Sequence, residues 1–188
     1  MAPGPGSSVG RQSDSHLWFA LKTRVGDEQS VNDLLSFKGF EAFLPLYQLR
    51  KKWSDRYKTV NLPYFPGYVF CSFDPRFRLP VLTTPGVQFV VGYGKQLVSI
   101  EDREIDAIRK VVSSGVPATT CTFLSVGEKV RITEGSLCGA EGLLVRLKSS
   151  WRVVLSVTLL QRSIYVEVDQ SAVELIAQQP LRQLRAAG

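Results

Sequence analysis

Three cysteines and one histidine are the only thiol and imidazole groups that this 188-residue chain can offer a metal or a nucleophilic relay. Cys71, Cys121 and Cys138 form no C-x-x-C pair, and His16 stands far from all three along the chain. A structural zinc site draws its ligands in closely spaced pairs, and a histidine relay needs its imidazole on rigid structure. Neither arrangement can be assembled here. The odd cysteine count without paired spacing fits a reducing compartment, which points to the cytoplasm. Two glycine runs invite comparison with phosphate cradles. "GYG" at Gly92–Gly94 lacks the third glycine and the following helix of a dinucleotide fingerprint. "GSLCGAEG" at Gly135–Gly142 lacks the GK[ST] ending of a P-loop, so tight turns between strands account for it, with Cys138 as a small residue inside. The expectation is a protein with no catalytic constellation, no metal and no cofactor.

What remains is the chemistry of binding. Two prolines and a glycine interrupt the strand-like run "NLPYFPGYVFCSF", Asn61 to Phe73. Side chains alternate across a strand, so Tyr68 and Phe70 face one way and Val69 and Cys71 the other, with Phe65 at the strand entrance. The same alternation in "LWFALKT" groups Trp18, Ala20 and Lys22. Should the two faces coincide, an aromatic patch lies on the open side of a sheet, and contiguous apolar patches mark interfaces. The competing reading is that these rings are core, as aromatic side chains in an arbitrary domain usually are. A second cluster, Arg50, Lys51, Lys52, Arg56 and Lys58, brackets Trp53 and Tyr57. Cations of this kind hold phosphates while rings stack on unpaired bases. A solvated hairpin tip explains the same residues equally well. The net charge of +6 is spread along the chain and does not decide between them.

The elements that carry these residues are legible in outline. Residues 1–15, rich in Pro, Gly and Ser, read as a tail without the apolar stretch of a signal peptide. No apolar run is long enough to span a bilayer. Asp27 to Lys38 reads as a helix with Val31, Leu34, Leu35 and Lys38 along one stripe and Gly39 just past its end. "VSIEDREIDAIRKVVSSG" reads as a second, with Ser99 as its cap, Asp102 at the capping-box position and Ile105, Ile108 and Val112 inward. A short helix is expected near Leu79 to Thr84 and a strand at Val87 to Val91. Strands and helices interleave, which predicts an α+β domain over 16–112: an antiparallel sheet with helices on one face. Residues 113–122 read as a linker. Beyond it "EKVRIT", "EGLLVRLK", "WRVVLSV" and "SIYVEVD" are short strands with glycine turns, predicting a small β-barrel over 123–177 and a frayed end over 178–188.

From Trp18 to Ile176 this text resembles the NusG family of transcription elongation factors. "YFPGYVF" (Tyr64 to Phe70) is similar to the hallmark of its N-terminal (NGN) domain, and "WFALKTRVGDEQ", "TTPGVQFVVGYG" and "VSIEDREIDAI" to its other segments. "VGEKVRITEGSLCGAEGLLVRLKSSWRVVLSV" resembles a KOW motif with the rest of its SH3-like barrel, Gly127, Gly135 and Gly142 falling at the characteristic places. The resemblance implies a monomeric, non-enzymatic factor that binds the clamp of bacterial RNA polymerase and suppresses pausing or termination. The matching surface is Phe65, Tyr68 and Phe70, with Trp18 and Lys22 beside them. The loop with Arg76, Phe77 and Arg78 would face the opposite pincer, although the family's polar motif is not reproduced there. The basic arm would lie near upstream DNA or RNA. The KOW domain would recruit a small-subunit ribosomal protein, the factor Rho or RNA. The long N-terminal tail and aromatic arm lean toward a specialised, RfaH-like branch. β-branched period-two text in the second half favours strands there over the helical hairpin known from that branch. A KOW motif alone would also suit an RNA-binding or ribosome-associated protein independent of polymerase.

Overall fold

The structure is a computed structural model and describes residues 16–52, 57–94, 96–122, 127–147 and 150–176. The first half is built on a four-stranded antiparallel sheet in the order β2 (Glu41–Phe43), β5 (Tyr68–Phe73), β1 (Leu17–Thr23), β6 (Val87–Val90). The register sets Ala20 opposite Phe70 and Lys22 opposite Tyr68, so the two alternating patterns share faces. Phe19, Leu21, Val69, Cys71 and Phe73 pack with Val31 and Leu35 of α1 (Glu28–Phe37) and Val81 of α2 (Leu79–Leu82). Trp18, Ala20 and Phe70 cluster instead with Ile105 and Ile108 of α3 (Asp102–Ser114). Helices therefore lie on both faces of this sheet, not on one. β3 (Leu46–Lys52) and β4 (Tyr57–Pro63) form a separate two-stranded arm, and β7 (Gly92–Tyr93) and β8 (Gln96–Leu97) a short hairpin that absorbs the "GYG" turn.

The helices follow the periodicities with local corrections. Leu34 is exposed, so the stripe of α1 narrows to Val31 and Leu35. Lys38 leaves the stripe to donate from Nζ to the Pro80 carbonyl (2.9 Å) and Thr84 Oγ1 (2.8 Å), which ties the end of α1 to α2. α3 begins after Glu101 rather than Ser99 and has no side-chain cap; Ile105, Ala107, Ile108 and Val111 are its buried residues.

The segment 113–122, expected as a linker, holds the last residues of α3 and a strand, β9 (Ala118–Thr122), which pairs antiparallel with β13 (Arg162–Val168). The second half is a six-stranded antiparallel sheet in the order β14 (Val173–Leu175), β10 (Glu128–Ile132), β11 (Glu141–Leu147), β12 (Ser150–Val157), β13 (Arg162–Val168), β9. Val153, Leu155, Val157, Ile164 and Val166 form its core together with Val130 and Ile132. Gly142 is needed where β11 begins its pairing with β12: a Cβ there would stand 2.5 Å from the Val154 carbonyl oxygen and 2.7 Å from a Val153 methyl.

Candidate functional site

The "FPGY" turn is where the aromatic face of the first sheet reaches its edge. Gly67 adopts φ +79°, a left-handed conformation that favours glycine. A Cβ at that position would meet Lys22 Nζ at 2.6 Å. Both backbone groups of Gly67 are engaged: its N–H donates to Glu28 Oε1 (2.7 Å) and its carbonyl accepts from Thr23 N–H (2.9 Å). Lys22 lies over the Tyr68 ring, 4.4 Å from the centroid, within the range of a cation–π contact. Along the face, Phe65 meets Phe70 edge-on at 5.7 Å, Phe70 and Phe43 stand 6.2 Å apart, and Arg109 of α3 lies over Trp18 (4.7 Å) and Phe43 (5.4 Å) while donating to Glu41 (2.6 Å).

This face is covered. Phe70 is 0 % exposed, Phe65 1 % and Trp18 6 %, while Tyr68, Lys22, Phe43 and Arg109 keep part of their surface. The expectation of an open aromatic patch is thus corrected. Trp18, Phe65 and Phe70 belong to one buried cluster that runs through α3 into the core of the C-terminal domain. The physical reason is that α3 is apolar enough on two sides to be sandwiched. Its inner residues meet the sheet, and its outer side meets β11 and β12. Polar groups close the rim of that contact. Thr158, just past β12, donates to Glu104 from Oγ1 (2.6 Å) and from its backbone N–H (3.3 Å). Lys110 donates to the Cys138 carbonyl (3.0 Å), and Arg162 lies 5.5 Å from the Tyr68 ring centroid. A cavity of about 480 Å³ remains beside the contact, lined by Ile100, Glu101 and Glu104 from one side and Leu143, Val154 and Leu159 from the other. Loss of solvent there raises the Glu104 carboxyl above its ordinary value of 4.5, against the opposing pull of the Thr158 donors.

A family model described as transcription termination factor nusG matches residues 16–109, half of the chain. The chain belongs to the NusG family. A curated relative from Campylobacter jejuni, the transcription termination/antitermination protein NusG, is 27 % identical over 175 residues, covering 86 % of this chain and 98 % of its own. Among solved structures, one titled "Domain interaction in Thermotoga maritima NusG" aligns with a TM-score of 0.51 at 21 % identity, over 86 % of this chain and 98 % of that one, a likeness of fold. The α+β first half followed by an all-β second half is the NusG arrangement, and the NusG family consists of transcription termination and antitermination factors rather than enzymes.

Arg50, Lys52, Tyr57 and Lys58 are exposed on the β3–β4 arm, with the Arg50 guanidinium 4.6 Å from the Tyr57 ring centroid; Lys51 is paired opposite Lys58 in the ladder. Trp53 and Arg56 lie outside the described residues. Arg76, Phe77 and Arg78 are exposed on the turn after β5, where Arg76 bridges Asp74 and holds its carboxyl below the usual range. Gly127, Gly135 and Gly142 occur in or beside the turns that flank β10 and β11. No cluster of metal-ligating side chains occurs among the described residues, and no helix among them is long and apolar enough to cross a membrane. Sequence reasoning missed Glu28, Glu104, Arg109, Thr158 and Arg162. Glu28 and Glu104 look like ordinary acids of a first helical turn, and Arg162 carries no local signal. Each has at least one partner 39 or more residues away, which no local stretch of sequence reveals.

Proposed function

We propose that this protein is a cytoplasmic transcription elongation and antitermination factor that binds the clamp of RNA polymerase through the first-sheet face carrying Tyr68. The observation that supports this reading is the state of Tyr68. It is a half-exposed ring at the end of an aromatic face, held between Lys22 of its own sheet and Arg162 of the C-terminal domain. A protein surface that is apolar at its centre and cationic at its rim suits docking onto an acidic, helical partner. Phe65, Phe70 and Trp18 support the surface from beneath; Tyr68, Lys22 and Phe43 touch the partner. The C-terminal domain occupies the same region, so docking and domain packing compete. Once displaced, the C-terminal β domain is free to recruit a second factor, a small-subunit ribosomal protein or Rho. The arm with Arg50, Lys52, Tyr57 and Lys58 lies along nucleic acid near the transcription bubble, and the turn with Arg76, Phe77 and Arg78 faces the opposite pincer.

The test is capture of core RNA polymerase by the full chain. Phe70→Ala is a poor probe, because emptying a fully buried ring position costs about 3–5 kcal/mol of fold stability. Tyr68→Ala trims a ring that is only partly buried against the core, so it disturbs the fold less, and it should weaken capture. Arg162→Ala, in the C-terminal domain, should strengthen it. Undiminished capture by Tyr68→Ala would defeat the docking surface.

A further inference from the structure

Glu28 opens α1, yet its carboxylate is not turned to solvent. It is 6 % exposed, and each of its oxygens accepts a backbone N–H: Oε1 from Gly67 and Oε2 from Gly26, both at 2.7 Å. One side chain thereby joins the loop after β1, the start of α1 and the Pro66–Gly67 turn. A carboxylate accepting two short backbone bonds is a strong and directional fixture, because charge-assisted hydrogen bonds are roughly twice as strong as neutral ones. The turn it fixes places Gly67 in the left-handed region, which glycine adopts without penalty, and continues through the Tyr68 N–H···O=C Phe65 bond (3.1 Å) into β5. Lys22 fills the space that a side chain at Gly67 would take and lies over Tyr68.

We propose that Glu28 is a positioning residue for partner docking: its carboxylate sets the Pro66–Gly67 turn so that Tyr68 and Lys22 stand at the edge of the aromatic face in a single geometry. This rests on the docking surface inferred above. Glu28 makes no contact with the polymerase itself and acts through Tyr68. Glu28→Gln preserves shape but replaces one acceptor by an NH₂ that faces an N–H donor. Glu28→Asp keeps the charge, but its arm is too short to span both amides.

A double-mutant cycle on the full chain separates positioning from mere stability. Binding to core RNA polymerase is titrated for wild type, Glu28→Gln, Tyr68→Ala and the double variant, well below every melting transition, with Glu28→Asp as the milder substitution should Glu28→Gln fold poorly. Loss of one charge-assisted bond should weaken binding about tenfold in Glu28→Gln and less than about twofold when Tyr68 is already alanine. Hydrogen exchange of the Gly67 amide should quicken about tenfold in both Glu28 variants while the Cys71 amide in β5 is unaffected. Equal effects of Glu28→Gln in both backgrounds, or none, would overturn the positioning role. If Tyr68→Ala alone leaves affinity unchanged, the docking surface is wrong and this proposal goes with it.

Discussion

Replacing Thr158 by valine should loosen the contact between the two halves. The Thr158 hydroxyl donates to Glu104 at 2.6 Å, and valine removes that donor while keeping the shape of the side chain. A buried hydrogen bond to a charged group contributes about 1.5–3 kcal/mol. Thr158 is exposed and Glu104 half-buried, so water competes and about 1 kcal/mol is the reasonable share. That corresponds to a roughly fivefold shift from the packed to the separated arrangement, and to a roughly fivefold gain in apparent polymerase affinity if packing blocks docking. Donor and acceptor dyes placed on the β3–β4 arm and on β13 would follow the separation, and a polymerase titration the affinity. Thr158→Ser, which keeps the hydroxyl, should behave as wild type. If Thr158→Val leaves both measurements unchanged, the Thr158–Glu104 bond does not hold the halves together and the competition argument fails.

Three further outcomes can be checked directly. Burial raises the Glu104 carboxyl, so the extra stability that protonating it gives the contact is fully present below the ordinary value of 4.5 and is lost as pH rises through the raised value, leaving the Thr158 bonds to the carboxylate; the dye pair should report tighter packing on acidification from neutral pH, and Glu104→Gln, while neighbouring Glu101 and Arg103 remain, should flatten that dependence. Gly142→Ala forces a methyl against the β12 backbone and should lower the melting midpoint by an overpacking cost of about 1–3 kcal/mol. Burial pushes the Cys71 thiol up to about 12, so iodoacetamide at pH 8 should spare Cys71 and label the exposed Cys138, as peptide mass mapping would show, until denaturant makes the two alike.

Several features were legible from sequence because they depend on short-range geometry. Alternation along β1 and β5 places Trp18, Ala20 and Lys22 with Tyr68 and Phe70, and the observed register brings the two sets to one face. Apolar spacing locates α1 and α3 to within a residue or two, while the capping expectation at Ser99 fails, because cap choice depends on where the chain leaves the β8 hairpin rather than on which nearby residue could serve. The small residues and proline of 113–122 looked like a linker. Their strand character in β9 comes from an unpaired edge on β13, which no local pattern reveals.

Element order, the split between an α+β half and an all-β half, and the sharing of a sheet face by particular side chains all follow from periodicities of two and 3.6 residues written into the local text. Whether that face is open is set by long-range packing instead. Covering Phe65 and Phe70 required α3 to be sandwiched between the sheet and the C-terminal domain, and that depends on contacts such as Glu104 with Thr158, 54 residues apart, between surfaces whose complementarity no single stretch of sequence contains.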